Sequence, residues 1–286
     1  MKLGISTYSL YQALKSEEMD ILAVMEWIAA SGGEHVEIVP LGFDIEKPGM
    51  VEAIRRKAEE TGLDISNYAV GGNLLTSTEE EYQHELKKLR EQVDIAHRLG
   101  VDRMRHDIAW RPIAECTAAS FEADLPRLAE GCAIIAEYAE RYGITTSVEN
   151  HGYYVQAAER VQRLIHSVNR KNFRTAIDVG NFMCADEDSV ASLKKNLPFA
   201  SMVHLKDFYL RPSYRNPGKG WFSTVSGNFI RGAIVGHGDI DMWEVIRVMK
   251  ESGYDGYISI EFEGMEDCRQ GTLIGLENAR TIWEQV

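Results

Sequence analysis

Four short segments in the second half of the chain carry side chains that could grip a cation: SVENHG with Glu149 and His151, IDVGN with Asp178, VHLKD with His204 and Lys206, and SIEFEG with Glu261 and Glu263. Each closes a short apolar run. A charged group in that position is costly to bury unless it is paired or coordinates an ion. Two Glu, one Asp and one His form an oxygen-dominated set with one nitrogen, which suits a single Mn2+, Co2+, Mg2+ or Zn2+ ion. In extended backbone alternate residues share a face, so Glu149 goes with His151, His204 with Lys206 and Glu261 with Glu263. His151 and Lys206 would then stand beside the ligands, where they could bind the oxygens of a substrate or act as an acid. Glu263 would do the same, or replace Glu261 if the register shifted by two.

The elements that must position these groups alternate along the whole chain. Short runs rich in β-branched residues are predicted as strands: KLGIST, HVEIVP, DISNYAV, VDRMRHDI, ITTSVEN, FRTAID, MVHLKD and YISIEFE. Amphipathic stretches between them predict helices at roughly 17–31, 47–61, 78–99, 120–142, 156–168, 188–196, 240–252 and 270–285. Ser77 and Thr78, ahead of Glu79, Glu80 and Glu81, mark the start of the third helix, and Gly100 marks its end. Ser120 opens the fourth, which closes at Gly143, and Gly62 and Gly253 mark other ends. Strands that alternate with helices lie parallel, and eight such units favour closure into a (β/α)8 TIM barrel, a single domain over residues 1–286. Such barrels gather their active sites at the C-terminal ends of the strands, where the four ligand candidates fall. No Gly-rich phosphate loop follows the first strand, which weighs against a doubly wound nucleotide-binding sheet. One connection is long: residues 208–238, FYLRPSYRNPGKGWFSTVSGNFIRGAIVGHG, read as a lid or binding loop within the domain.

The bulk composition narrows the partner. A chain of 286 residues buries enough core to fold without a disulfide or structural metal. Its 44 Asp and Glu against 31 Lys and Arg give a net charge of −13, a field that repels nucleic acid and anionic membrane and points to a small molecule. Cys116, Cys132, Cys184 and Cys268 form no C-x-x-C pair, as expected of buried thiols in a reducing compartment. With no apolar signal core and no long apolar run, the expected location is cytoplasmic.

As an ordered ensemble, SVENHG, DVGN, VHLKD, GHGDID and SIEFEG resemble the xylose-isomerase-like TIM barrel superfamily, and the resemblance spans the whole chain. That superfamily holds sugar isomerases, ketose 3-epimerases, inosose dehydratases and AP endonucleases. The resemblance implies one metal ion on Glu149, Asp178, His204 and Glu261. It also implies that Glu149 and Glu261 face opposite sides of a substrate carbon and exchange protons with it, through an enediolate that the ion stabilises. Members often carry a His three residues after the strand-six Asp; here Asn181 stands there, able to donate a hydrogen bond to a substrate hydroxyl. The family's substrate-binding Arg falls at Leu210, with Arg211 beside it as the candidate. Dimers and tetramers are common in the family, so a homo-oligomer is expected.

Further candidates lie elsewhere. His106 and Asp107 end the fourth strand and could line the pocket or form an ion pair with Arg103 or Arg105, and Glu37 on the second could reach the floor of the site or pair with a neighbour. Arg211, Arg215, Lys219 and Arg231 could hold a phosphate or carboxylate, or equally form a solvated basic loop. His237 in GHGDID is expected to order the turn into the next helix, with Asp239 or Asp241 as its cap. The function expected from all this is a metal-dependent isomerase or epimerase of a sugar, sugar phosphate or polyol. A lyase or dehydratase acting on a keto-inositol or keto-sugar begins with the same proton abstraction. A DNA-repair nuclease would need a basic groove and further histidines, which the sequence lacks. A sugar-binding barrel without turnover would have no reason to keep the full ligand set.

Overall fold

Period-two runs of Val, Ile and Leu build strands with one face for the helices and one for the barrel interior. The computed structural model, which describes residues 2–286, closes eight of them into a parallel barrel. In chain order the strands are β1 (Lys2–Ser6), β2 (His35–Ile38), β3 (Asp64–Val70), β4 (Arg103–His106), β5 (Thr145–Glu149), β6 (Phe173–Asp178) and β7 (Ala200–Leu205). Then come β8 (Asp207–Arg211), β9 (Phe222–Ser223) and β10 (Phe229–Ala233), which lie outside the barrel, and β11 (Tyr257–Ile260), its eighth strand. The order around the barrel is β1-β11-β7-β6-β5-β4-β3-β2. This makes β5, β6, β7 and β11 one continuous arc, in which Asp178 pairs in register with His204, and His204 with Ser259. The (β/α)8 expectation is met, and each predicted strand contains a barrel strand except MVHLKD, which overlaps β7 but starts two residues later.

The helices follow their expected positions closely. The one at Glu79–Leu99 starts on a capping box: the Thr78 hydroxyl accepts from the Glu81 amide at 3.2 Å, and the Glu81 carboxylate accepts from the Thr78 amide at 3.1 Å. The helix Ala118–Glu140 begins earlier than predicted. Thr117, whose backbone is extended, caps it by accepting from the Ser120 amide, while Ser120 already lies inside the first turn. All four cysteines are buried and unpaired. No helix among the described residues is long and apolar enough to cross a membrane.

The 208–238 stretch is less irregular than its Pro and Gly content suggests. β8, β10 and β9 form an antiparallel three-stranded sheet in that order, with the Pro212–Gly220 tract confined to one connection. Its base is pinned by the buried carboxylate of Asp207, which accepts from the amides of Phe208 at 2.8 Å and of Gly236 and Gly238 at 2.9 Å each. A Cβ at Gly238 would lie 2.1 Å from Asp207 Oδ1, so only glycine permits this approach. GHGDID thus works through its backbone, whereas the His237 side chain is exposed. Asp241 caps the helix Met242–Glu251, and Asp239 instead receives the Leu210 amide.

Candidate active site

At the C-terminal rim of the arc, Glu149, Asp178, His204 and Glu261 each place one ligand atom within 4.8 Å of the others, and all four are buried. His204 Nδ1 has no hydrogen-bond partner and lies 3.9 Å from Glu149 Oε1 and 3.8 Å from Glu261 Oε2. An imidazole nitrogen aimed at carboxylate oxygens, without a partner of its own, is a donor set that fits a divalent cation. The opposite ring nitrogen, Nε2, sits 3.1 Å and 3.0 Å from the two carboxylate oxygens of Glu37, which also accepts from Asn67 at 2.8 Å. That fixes the ring orientation from across the barrel, as a carboxylate behind a ligating histidine does. Asp178 is held through Oδ1, which accepts from the amides of Gly180 and Asn181 at 2.8 and 3.0 Å, and Asn150 clips the end of β6 to that of β5.

Three carboxylates surround Lys206. Its ammonium lies 2.7 Å from Glu261, 2.9 Å from Asp178 and 3.2 Å from Glu263, with Asn181 Oδ1 at 3.4 Å. Gly180 makes room for it, because a Cβ there would press on the Lys206 side chain at 2.9 Å. Asn181 Nδ2 donates to Glu149 Oε1 at 3.0 Å, so this amide joins Glu149 to Lys206. The crowding of charge shows in the proton affinities. Burial opposes a charge on His204, but Glu37 and then Glu261 outweigh it and lift the imidazole to about 10. Burial, against the pull of Lys206, pushes Asp178 up to about 7. Burial works against the charge on Glu261 as well, yet Lys206 and His204 hold it well below the usual carboxylate range.

The cluster forms the floor of a cavity of about 570 Å³. His151, Asn181, Lys206, Glu263, Glu149 and Glu261 all line it. Three other residues expected to touch substrate do not line it. Glu37 is fully buried behind His204. His106 lies under the helices on the face of β4 away from the cavity, and burial lowers its proton affinity. Arg211 stands on the outer hairpin, paired with Asp239 at 3.1 Å.

The residue on the other face of β4 was expected only as an ion-pair partner of His106 or Asp107. Arg105 lines the cavity, and its Nε donates to Glu149 Oε2 at 2.5 Å while a second guanidinium nitrogen contacts the same oxygen. It also sits 3.3 Å from Asp107, which in turn lies 3.4 Å from His151 Nδ1. Asp107 thereby keeps a low proton affinity despite its burial, and it raises that of His151. Strand parity was the available signal. Arg105 and His106 must face opposite ways, and an Arg one strand from Glu149 is the better partner for a buried acid. Tyr8, after β1, is the other unforeseen wall residue; burial first, then Glu263, raises its hydroxyl to about 12.

Residues 25–284 match the family described as the xylose isomerase-like TIM barrel. The chain belongs to that family. Among its curated relatives, an inosose dehydratase of Clostridium perfringens (strain 13 / Type A) is 26% identical over 227 residues, 76% of this chain and 75% of that one. Among solved structures, a 3-keto-D-glucoside 4-epimerase from E. coli superposes with a TM-score of 0.75 at 19% identity, covering 98% of this chain and 99% of that one. A D-tagatose 3-epimerase-like protein gives 0.75 at 21%, covering 100% and 99%. At these identities the structural likeness establishes the barrel shared by xylose isomerase-like proteins and not the reaction.

Proposed function

We propose that this xylose isomerase-like barrel is a divalent-metal-dependent isomerase or epimerase that removes and returns a proton beside the carbonyl of a sugar or polyol. The observation that carries this reading is the convergence of Glu149, Asp178, His204 and Glu261, with the His204 nitrogen aimed at two of the carboxylates. Bound there, a Mn2+, Co2+, Mg2+ or Zn2+ ion would supply charge stabilisation for the oxyanion formed when the proton leaves. The chain's own groups do the proton transfer. Glu149 and Glu261 rise from the two ends of the four-strand arc, so a substrate carbon between them meets one carboxylate on each face. Arg105 at Oε2 and Asn181 at Oε1 fix the orientation of the Glu149 carboxylate that takes the proton. Lys206 keeps Glu261 ionised and presents a positive charge to a developing oxyanion. Asn181 donates to substrate hydroxyls where other members often use a His. The β8–β10 hairpin, which brings Phe208 and Phe222 to the cavity, acts as its cover.

A dehydratase reading has its own support. His151, half exposed on the wall and backed by Asp107, is placed to protonate a departing hydroxyl, and curated relatives include inosose dehydratases. One experiment separates the two. The Mn2+-loaded protein is incubated in D2O with a panel of ketohexoses and inososes. Isomerase or epimerase action gives deuterium wash-in at an α-carbon without loss of water; dehydration gives a product lighter by one water. No exchange and no product from any member of the panel sinks both.

A further inference from the structure

The cavity is larger and more two-faced than proton transfer on one sugar ring requires. Its 570 Å³ runs from Glu149, Lys206 and Glu261 at the floor out to Phe43, Lys88 and Phe222 at the mouth. The remaining space is walled differently from the charged floor. On one side stand Val39, Phe43 and Ile45, from the segment that follows β2. On the other stand Tyr153, Phe208 and Phe222, from the ends of β5 and β7 and the hairpin, with Phe208 and Phe222 packed edge to face at 5.8 Å and the Tyr153 hydroxyl donating to the Ser223 carbonyl at 3.0 Å. β2 lies opposite β6 in the barrel, so these walls face each other across the mouth.

What the walls lack is as informative as what they carry. The cavity's basic side chains are Arg105, Lys206, Lys88 and His151, the last facing Asp107 at 3.4 Å. Arg105 is spent on Glu149 and Asp107, Lys206 on Asp178, Glu261 and Glu263, and Lys88 stands exposed at the rim 3.5 Å from Glu85. Asp44 and Glu46 add negative charge beside the apolar wall. A phosphate ester would therefore meet no unpaired guanidinium or ammonium, while a neutral ring would find two apolar walls to pack against.

We infer that the substrate is a neutral glycoside whose reacting ring carries the carbonyl: that ring on the charged floor, and an uncharged second ring, sugar or aryl, held between the Phe43 wall and the Tyr153–Phe208–Phe222 wall. This rests on the reaction proposed above only in placing the reacting ring, and it replaces the phosphate site expected of Arg211, Arg215, Lys219 and Arg231, none of which lines the cavity.

Calorimetric titration of the Mn2+-loaded protein with p-nitrophenyl β-D-glucoside, cellobiose, glucose and glucose 6-phosphate tests it. The aryl glucoside and cellobiose are expected to bind at least tenfold tighter than glucose, and glucose 6-phosphate no tighter than glucose. Phe43→Ala, and separately Phe222→Ala on the opposite wall, should each remove about tenfold from aryl glucoside affinity and leave glucose unchanged. Equal affinity across the panel, failure of both glycosides to bind, or tightest binding by the phosphate ester overturns the inference. Deuterium exchange, measured on the same protein with the ketohexose and inosose panel, keeps the two ideas apart. Exchange without a glycoside preference sinks the second-ring site alone, and a glycoside preference without exchange sinks the reaction alone.

Discussion

The two halves of this barrel carry different kinds of residue at the same rim. β5, β6, β7 and β11 each supply one member of the candidate metal cluster. β2, β3 and β4 supply none, yet Glu37, Asn67 and Arg105 reach across to fix the orientation of His204 and Glu149. One half offers groups for chemistry and the other holds them still. A buried carboxylate or imidazole is useful only in one geometry, and the second half specifies it.

Breaking the first half should cost most. Glu149→Gln is expected to lower kcat by about 10²–10⁴-fold, the range for loss of a general base, and to weaken the metal as well. Turnover within threefold of wild type on an identified substrate would refute the base assignment. In the second half the largest effect is expected at Arg105. Arg105→Leu leaves Glu149 without its bidentate partner, and denaturant unfolding of the metal-free protein should show about 3 kcal/mol lost, much of it restored by Arg105→Lys. An unchanged midpoint would mean that the pair contributes nothing. Glu37→Gln should leave the fold intact and weaken Mn2+ binding by about 10–100-fold, the usual effect of removing a carboxylate behind a ligating histidine. Unaltered affinity would divorce the two halves.

The same contrast predicts a pH dependence. With His204 lifted to about 10 and Asp178 to about 7, both carry protons near neutrality that a cation must displace. Metal affinity should therefore climb with pH between 6 and 8, by about tenfold per unit for each proton released. Calorimetry in buffers of different ionisation enthalpy reads that number directly, and a heat independent of buffer would mean no proton leaves. The smallest effect is expected at Asn181, where substitution by Ala should raise KM several-fold with kcat little changed.

The half that carries the four clustered residues was legible in the sequence, and the half that holds them was largely not. Strand-end acids in apolar runs announce themselves, because nothing but pairing or an ion explains them; the strands and helices around them follow from periodicity and caps. Arg105 and Glu37 act through partners that lie 44 and 167 residues away, and only closure of the barrel brings those together. On β4 the parity of the strand decided between Arg105 and His106, and local pattern does not reveal which face looks inward. The hairpin was read as loop because Pro212, Pro217 and the glycines around them dominate its composition, although they occupy one connection and leave β8 and β10 free to pair.

The most direct test of the whole account is equilibrium binding of Mn2+ to the purified chain, with the bound ion read by paramagnetic resonance. One ion per chain, with hyperfine coupling to a single imidazole nitrogen that disappears in His204→Ala, is the predicted result. A folded wild-type protein that binds no ion stoichiometrically, or one whose bound Mn2+ is unaffected by His204→Ala and Glu261→Gln, would contradict it.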